Sequence, residues 1–353
     1  MTESFNTSPD TAADDAVRAL PAGFSLIAED PALGPAIVAD LERVETLLLE
    51  AVSNSDPFAD VTSRHLAEAG GKRIRPLLTL LASHLGPNPA NDEVLRSAVV
   101  VELTHLATLY HDDVMDSAPL RRGAPTAHEI WGNSVAVLTG DLIFARASSM
   151  VSELGGEALG IQARTFERLC LGQLHETVGP REDQDPLEHY LAVIGGKTGS
   201  LIAASGQFGS LFAGADRRTV NIMMEYGEKV GVAFQLADDV IDVTGREDKS
   251  GKTPGTDLRE GVPTLPVLLL RRNAAAGDAE AAAVLKLVEG DLSSDAALAE
   301  AVSALRSNPA TAEAWAVAHE WANDAVAALA PLPDSVVKQA LTSFAQAVVD
   351  RDV

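Results

Sequence analysis

Apolar side chains recur at helical spacing along most of this chain, and that pattern constrains the fold more than any other feature. The segments "DPALGPAIVADLERVETLLLEAV" (30–52) and "VNIMMEYGEKVGVAFQLADDVIDV" (220–243) each place an apolar stripe on one face of a helix. No segment alternates apolar and polar residues as a half-buried strand does, and aromatic residues, which strands favour, make up only 4% of the chain. The sequence therefore predicts an all-α fold, a single large helical bundle whose central helices are buried on most faces.

Length and charge narrow the class of protein further. The chain has 353 residues, enough to bury a large core. Residues 1–32 are polar and acidic and are predicted to form a flexible tail, and residues 33–353 are predicted to form one all-α domain. The net charge of −24 argues against non-specific binding of nucleic acid. Because the start lacks the features of a signal peptide and no apolar run approaches the ~18 residues that span a bilayer, we expect a cytoplasmic protein.

Two aspartate-rich motifs end strongly apolar helical runs. The first is "HDDVMD" (111–116) and the second is "ADDVID" (237–242). Residues four apart share one face of a helix, so Asp112 projects with Asp116, and Asp238 with Asp242. Such like-charge pairs destabilise a bare helix by a few tenths of a kcal/mol, roughly, and Mg²⁺ bound by carboxylates would offset that cost. One copy alone could equally be a solvated acidic face, but two copies on buried helices favour a metal site.

Other metal and phosphate motifs are missing from the sequence. The spacing of an EF-hand loop is absent, and so is a Walker phosphate loop. Zinc is disfavoured, because the chain has a single cysteine and no HExxH motif. These absences leave Mg²⁺ with a phosphate-bearing substrate as the favoured reading of the aspartates.

Basic residues near glycines predict the phosphate side of the site. "GGKRIRP" (70–76) supplies Lys72 and Arg75, and Arg121 and Arg122 follow the first aspartate motif. His105 lies two helical turns before Asp112 on nearly the same face, although a lone histidine on an apolar helix is as often a core residue. "GGKTGSL" (195–201) interrupts a helical pattern, either as a kink that frees carbonyls or as a simple turn. Together these residues predict a cavity between buried helices, with an apolar interior, that fits diphosphates on a hydrocarbon tail and several Mg²⁺ ions.

The sequence resembles the trans-isoprenyl diphosphate synthase (polyprenyl synthetase) family from about residue 35 to its end. The motifs that carry the resemblance are, in order, "GGKRIRP", "HDDVMDSAPLRRGAPTAH", "GDLIFARA", "GGKTGSL", "FQLADDVIDV" and "KSGKTPGTDL". The resemblance implies an all-α bundle around a deep central cavity, usually a homodimer, with a peripheral membrane contact for product release. It implies head-to-tail condensation of isopentenyl diphosphate with an allylic diphosphate, with three Mg²⁺ ions in each active site.

The resemblance also implies roles for individual residues. Asp112, Asp116 and Asp238 would hold Mg²⁺, and Asp113, Asp239 and Asp242 would be ligands or partners of ligands. The group implied for isopentenyl diphosphate is Lys72, Arg75, His105 and Arg122. The group implied for the allylic diphosphate is Arg121, Lys197, Gln235 and Lys252. Thr198, Gln235 and the Lys197 carbonyl would stabilise the allylic cation.

Product length follows from the side chains below Asp112 on its helix. Thr108 and Ala107 lie one turn down and Thr104 two turns down, and one turn rises about 5.4 Å, comparable to one isoprene unit. Short-chain members of the family block the first level with aromatic residues, whereas this chain has small ones. We therefore expect a product longer than twenty carbons, such as a quinone side-chain precursor, with the floor near Val100 and Val101 or on a neighbouring helix.

Three alternative functions compete with this interpretation. A product of fifteen or twenty carbons would need the same chemistry. A class I terpene cyclase would normally carry a different second metal motif and has no need of "GGKRIRP". A non-catalytic partner subunit would normally have lost acidic or basic motifs that this chain retains.

Overall fold

The computed structural model describes residues 20–21, 23–245 and 254–351. Within these residues it is built of helices, and the all-α prediction is confirmed. In the first half of the chain the helices are α1 (Ser25–Glu29), α2 (Leu33–Val52), α3 (Pro57–Glu68), α4 (Ile74–Ser83), α5 (Asp92–Met115), α6 (Ala127–Trp131), α7 (Asn133–Glu153) and α8 (Gly156–Val178). They continue with α9 (Pro186–Ile194), a π-helix (Gly195–Gly199), α10 (Ser200–Phe212), α11 (Arg217–Thr244), α12 (Thr256–Glu260), α13 (Leu265–Ala275), α14 (Ala279–Val288), α15 (Asp295–Ser307), α16 (Pro309–Ala328) and α17 (Val336–Ala347).

Part of the predicted tail is helical. Helix α1 lies inside residues 1–32, and its neighbourhood buries Phe24 and Ile27 completely. Two large apolar side chains removed from water stabilise this segment by roughly 3–6 kcal/mol together, which a free tail would forgo. The rest of the predicted tail, residues 1–19 and 22, lies outside the described residues.

The chain divides into two compact units. Among the described residues, unit 1 takes those up to Glu167 together with Leu201–Gly227 and Pro331–Leu341. Unit 2 takes Arg168–Ser200, the described residues of 228–330, and those from Thr342 onward. The prediction of one domain over residues 33–353 stays a prediction.

Helix α5 is the central helix of unit 1. Its first turn is fixed by Asn91, whose side chain accepts a hydrogen bond from the Val94 amide at 3.0 Å, as the sequence predicts for a helix start. The helix is then buried on most faces down to Asp113. It packs closely on α7, because a Cβ placed on Gly140 would lie only 3.1 Å from the Ala107 carbonyl. Glycine at that position therefore lets the two backbones approach.

A small hairpin follows α5 in unit 1. Strand β1 (Leu120–Arg121) pairs antiparallel with β2 (Ala124–Pro125), with Arg121 opposite Ala124. The two connecting residues, Arg122 and Gly123, have φ of 55° and 79°. Positive φ at both positions is the requirement of a type I′ turn. Two-residue strands are too short to show an alternating pattern, so the sequence analysis did not predict them.

Unit 2 contains the C-terminal half of α11 and the π-helix. The predicted interruption at "GGKTG" is a π-helix, a rare conformation that is frequent at functional sites. The end of α11 is capped by Arg306, whose Nη2 donates to the carbonyls of Val243 at 2.9 Å and Gly245 at 3.0 Å. A cation at this end complements the partial negative charge of the helix C-terminus.

Helix α7 overturns one sequence expectation. It is long and apolar enough to cross a membrane by length and composition, although no such run was expected. Core helices of soluble proteins satisfy the same criterion, so this is weak evidence for a membrane span. The part of α7 that stays exposed includes Val137 and Leu138.

Candidate active site

The basic residues of the motif at 70–76 have different surroundings: one makes structural ion pairs and another is exposed. Arg73 pairs with Glu45 at 2.8 Å and with the buried Glu102 at 2.9 Å, and it also donates to the Ala67 carbonyl. These contacts use most of its guanidinium donors. Lys72 is exposed beside it. Arg73 therefore fixes the loop, while Lys72 remains accessible.

Arg75, His105 and Arg122 form a compact basic group in unit 1. Burial, and then the positive charges of Arg75 and Arg122, lower the pKa of His105 well below its usual range. Burial also lowers the pKa of Arg75, although the Glu102 carboxylate opposes that shift. The Arg75 Nε is buried and has no hydrogen-bond partner among the described residues. Positive charges that act on one another in a partly buried site are costly unless an anion compensates them.

The Arg122 guanidinium packs against the loop of residues 70 and 71. Its Nη1 donates to the carbonyls of Leu66, at 3.0 Å, and Gly70. The φ of Gly71 is 151°, a conformation that favours glycine. A Cβ on Gly71 would lie 2.8 Å from the guanidinium, so a larger residue would also displace the end of the Arg122 side chain. The structure thus brings together Lys72, Arg75, His105 and Arg122, the group implied for isopentenyl diphosphate, within one unit.

The first aspartate cluster lies at the C-terminal end of α5. Asp116 is the C-cap residue, and its amide donates to the Asp112 carbonyl at 2.8 Å. Asp113 is 1% exposed and pairs with Arg121 at 2.6 Å. Carboxylates here add to the negative end of the helix dipole, which destabilises the helix unless cations bind. The middle aspartate is thus engaged by an arginine, while Asp112 and Asp116 are more exposed.

The second cluster repeats this arrangement at the end of α11. Asp239 is buried, and its two oxygens accept from Gln235 Nε2 at 3.1 Å and from the Tyr190 hydroxyl. Burial raises the pKa of Asp239 to about 6, although the hydrogen bonds from Tyr190 and Gln235 oppose the shift. The carboxylate accepts only, so the Gln235 amide must turn its NH₂ toward Asp239. The Gln235 carbonyl oxygen then accepts from Thr198 Oγ1 at 3.1 Å.

Two partners in this cluster were missed by the sequence reasoning. Tyr190 lies on α9. Apart from the rarity of tyrosine, of which the chain has three, no sequence pattern marks this residue. Arg351 pairs with Asp238 at 2.7 Å and lies 4.4 Å above the Phe234 ring. Nothing local in the sequence links residue 351 to residue 238. Asp242 Oδ2 accepts from the Asp257 amide at 3.3 Å.

The allylic-side residues are only partly brought together. Lys197 lies on the π-helix and pairs with Glu176 of α8, a partner that sequence reasoning also missed. Arg121 belongs to unit 1, where it pairs with Asp113. Lys252 lies outside the described residues. Because the two aspartate clusters belong to different units, the predicted cavity that they share stays a prediction.

The predicted chain-length residues differ in their surroundings. Thr104 is fully buried, and its hydroxyl accepts from Gln162 Nε2 at 2.7 Å. Ala107 is also buried, at the close contact with α7. Thr108 is half-buried, and its hydroxyl donates to the His105 carbonyl of its own helix at 2.8 Å. Of the three, Thr108 has the most open surroundings.

The donor set of the two clusters fits a hard divalent cation. Each helix end presents carboxylates, the oxygen ligands that such cations prefer. Among the described residues, no three histidine, cysteine or acidic side chains converge into a ready-made cage.

Comparison with known proteins agrees with the helical fold and the motifs. The family model described as polyprenyl synthetase matches residues 57–305. A nonaprenyl diphosphate synthase of Mycobacterium tuberculosis is 44% identical over 91% of this chain and 95% of its own length. A heptaprenyl diphosphate synthase component 2 of Geobacillus stearothermophilus is 37% identical over 89% of this chain and 96% of its own.

A solved structure is equally similar. It is a geranylgeranyl pyrophosphate synthase from Corynebacterium glutamicum complexed with calcium and isoprenyl diphosphate, with a TM-score of 0.81 and 42% identity, covering 91% of this chain and 98% of that one. The fold and these relatives define the class of protein as a prenyltransferase. The chain belongs to the polyprenyl synthetase family.

Proposed function

We propose that this protein joins isopentenyl diphosphate head to tail to an allylic diphosphate, releases diphosphate, and makes an all-trans product longer than twenty carbons. The observation that carries the proposal is that a polyprenyl synthetase has aspartates at the C-terminal ends of two helices and, in unit 1, two arginines next to a histidine. The nonaprenyl and heptaprenyl names of two relatives support a long product, and the geranylgeranyl name of the solved relative keeps a shorter one as the alternative.

The metal proposal assigns different roles to the aspartates. Asp112 and Asp116 in unit 1, and Asp238 and Asp242 in unit 2, are the proposed Mg²⁺ ligands. Asp113 and Asp239 are buried and bonded to protein partners, so we assign them to holding Arg121 and Gln235 in place. Bound Mg²⁺, proposed as three ions, would neutralise the charge of the departing diphosphate.

The basic group of unit 1 is the proposed site for isopentenyl diphosphate. Arg75 and Arg122 would bind its phosphate oxygens through guanidinium donors, and Lys72 would add a point charge from the exposed loop. An anion between Arg75 and Arg122 would also remove part of the repulsion that lowers the pKa of His105. His105 would then be protonated more readily, and the imidazolium would donate a charge-assisted hydrogen bond to the bound phosphate.

Residues of unit 2 are proposed to act on the allylic substrate. Lys197, with Arg121 of unit 1 and Lys252, would bind its diphosphate. Because Asp239 fixes the Gln235 amide, the carbonyl oxygen of Gln235 and the hydroxyl of Thr198 are the dipoles available to stabilise an allylic cation. The proton lost at the end would go to the departing diphosphate, so no side chain is assigned as the base.

We also propose a homodimer in which a second copy covers exposed apolar side chains of β1, α6 and α7. The exposed side chains there are Leu120, Ile130, Val137 and Leu138. Light scattering should give a dimer mass, and Leu138→Glu should shift it toward monomer. Leu287→Glu, at an exposed leucine of α14, is the control and should leave the mass unchanged. The cytoplasmic location and a peripheral membrane contact for product release remain proposals.

A product ladder tests the proposed function. The purified protein is incubated with Mg²⁺, labelled isopentenyl diphosphate and allylic primers of ten, fifteen or twenty carbons, and the dephosphorylated products are sized. We expect a ladder that ends beyond twenty carbons. A stop at fifteen or twenty would keep the chemistry and refute the long product. No elongation with any primer would refute the proposal and favour a partner subunit, as the word "component" in one relative's name suggests.

A further inference from the structure

One ion pair lies against the π-helix of unit 2. At the start of the turn, the Gly195 carbonyl accepts from the Ser200 amide and also from Arg168 Nη2, at 3.2 Å. Glu228 packs beside both glycine ends: a Cβ on Gly195 would lie 3.6 Å from Glu228 Oε1, and one on Gly199 would lie 3.4 Å from it and 3.2 Å from the Glu228 carbonyl. Arg168 thus bonds the start of the five-residue turn, and Glu228 packs along it.

Arg168 and Glu228 are bonded to each other through both terminal nitrogens of the guanidinium group. Arg168 Nη1 donates to Glu228 Oε2 at 2.9 Å, and Nη2 donates to Oε1. The hydrogen bonds to Glu228 raise the pKa of Arg168, against the effect of burial. A two-pronged pair fixes the direction of the guanidinium, which a single contact would not do. The direction matters here because the same guanidinium also reaches the Gly195 carbonyl.

Glycines bring α8 directly against the π-helix. A Cβ on Gly172 would lie 3.0 Å from the Lys197 amide nitrogen, and one on Gly196 would lie 2.9 Å from the Arg168 carbonyl. The two backbones are therefore in contact without side chains between them. On the same helix, one turn beyond Gly172, Glu176 pairs with the Lys197 ammonium.

We propose that Arg168 and Glu228 are positioning residues that hold the π-helix in the conformation that presents Lys197 and Thr198. The inference rests on the proposed function, in which those two residues act on the allylic substrate. A π-helix is less stable than an α-helix and persists where surrounding contacts fix it. Without the pair, the turn loosens and Thr198 loses its hydrogen bond to Gln235.

The effect on binding and turnover separates this role from a general effect on stability. Arg168→Ala and Glu228→Ala should each lower kcat/KM for the allylic primer about fivefold, since the pair is partly exposed and exposed pairs are worth little. The KM for isopentenyl diphosphate should stay within about twofold, because its proposed site is in the other unit. The double variant should be no worse than either single one, and Arg168→Lys should recover part of the loss.

A matched control and a readout without substrate complete the test. Arg217 pairs with Glu157 and is likewise a partly exposed arginine–glutamate pair sixty residues apart, so Arg217→Ala is the control. Hydrogen exchange of the amides of residues 195–200 should speed up in Arg168→Ala and not in Arg217→Ala. Unchanged hydrogen exchange in Arg168→Ala would overturn the proposal that the pair holds the π-helix, even if the wild-type protein proved to have no condensing activity. Faster exchange with unchanged primer kinetics, or equal losses for both substrates, would overturn the positioning role.

Discussion

Thr108 offers the sharpest test of where the growing chain runs. It lies four residues before Asp112, about 6 Å along the helix axis, and the next two levels down α5 add roughly two further turns. Thr108→Phe would fill the first level, so we expect the product to stop at fifteen or twenty carbons. The loss of depth is about 10 Å, comparable to two isoprene units.

The structure also predicts different stability costs for Thr108→Phe and Ala107→Phe. Among the described residues, the Thr108 hydroxyl bonds only the His105 carbonyl of its own helix, so its removal should cost less than about 1 kcal/mol of unfolding free energy. Ala107 is buried, and its carbonyl lies at a close contact of α5 and α7, where added volume costs roughly 1–3 kcal/mol or more. Ala107→Phe should therefore lower the melting temperature visibly, whereas Thr108→Phe should not.

The assay is the product ladder run on wild type, Thr108→Phe and Thr108→Val. The valine variant keeps the side-chain size and removes the hydroxyl, so its ladder should match wild type. If the phenylalanine variant folds, turns over and still makes the wild-type length, the path of the product does not pass Thr108. That result would refute the reasoning from helix depth.

Other predictions address the aspartates and Tyr190. Asp112→Ala and Asp238→Ala should each reduce turnover at least about 100-fold while the circular dichroism spectrum stays helical, and near-normal rates would refute the metal assignment. Tyr190→Phe should lower the unfolding free energy in urea by about 1.5–3 kcal/mol, the range for a hydrogen bond to a charged group, and no change would mean that the bond to Asp239 is not made. The pKa of Asp239 is raised to about 6 in the folded protein, so the folded state binds the Asp239 proton more tightly than the unfolded state does. The stability that this proton adds is fully present below the unfolded pKa and is lost as pH rises through 6. The stability of metal-free wild type relative to Asp239→Asn should therefore fall by up to about 3 kcal/mol between pH 4 and 7, and parallel pH curves would contradict this.

The helices could be predicted from the sequence because a helix with one buried face needs apolar residues at helical spacing. The aspartates of the two predicted motifs lie at the C-terminal ends of α5 and α11, which carry the negative end of the helix dipole. The family resemblance also indicated which short motifs supply basic residues to the candidate site. The pattern could not reveal which cation of "GGKRIRP" has a structural role. In the structure it is Arg73, which pairs with Glu45 and Glu102.

The partners of the site residues were beyond sequence reasoning because they are distant in the chain. Tyr190 and Asp239 are 49 residues apart, and Arg351 reaches the Phe234 carbonyl across 117. No periodicity connects such positions, and only the folded chain brings them into contact. The π-helix was also missed as such, because two glycines in a helical pattern are compatible with a kink or a turn as well.

The placement of both aspartate clusters at helix C-termini has a thermodynamic consequence. Each helix ends with its own partial negative charge next to carboxylates, in a chain whose net charge is −24. A divalent cation that binds only the folded protein relieves this repulsion, so its concentration becomes a determinant of how much of the chain is folded. At a free concentration one hundred times its dissociation constant, one such ion adds about 2.7 kcal/mol to the free energy of unfolding. The carboxylates assigned to the chemistry would then also make the protein's lifetime sensitive to the supply of divalent cations.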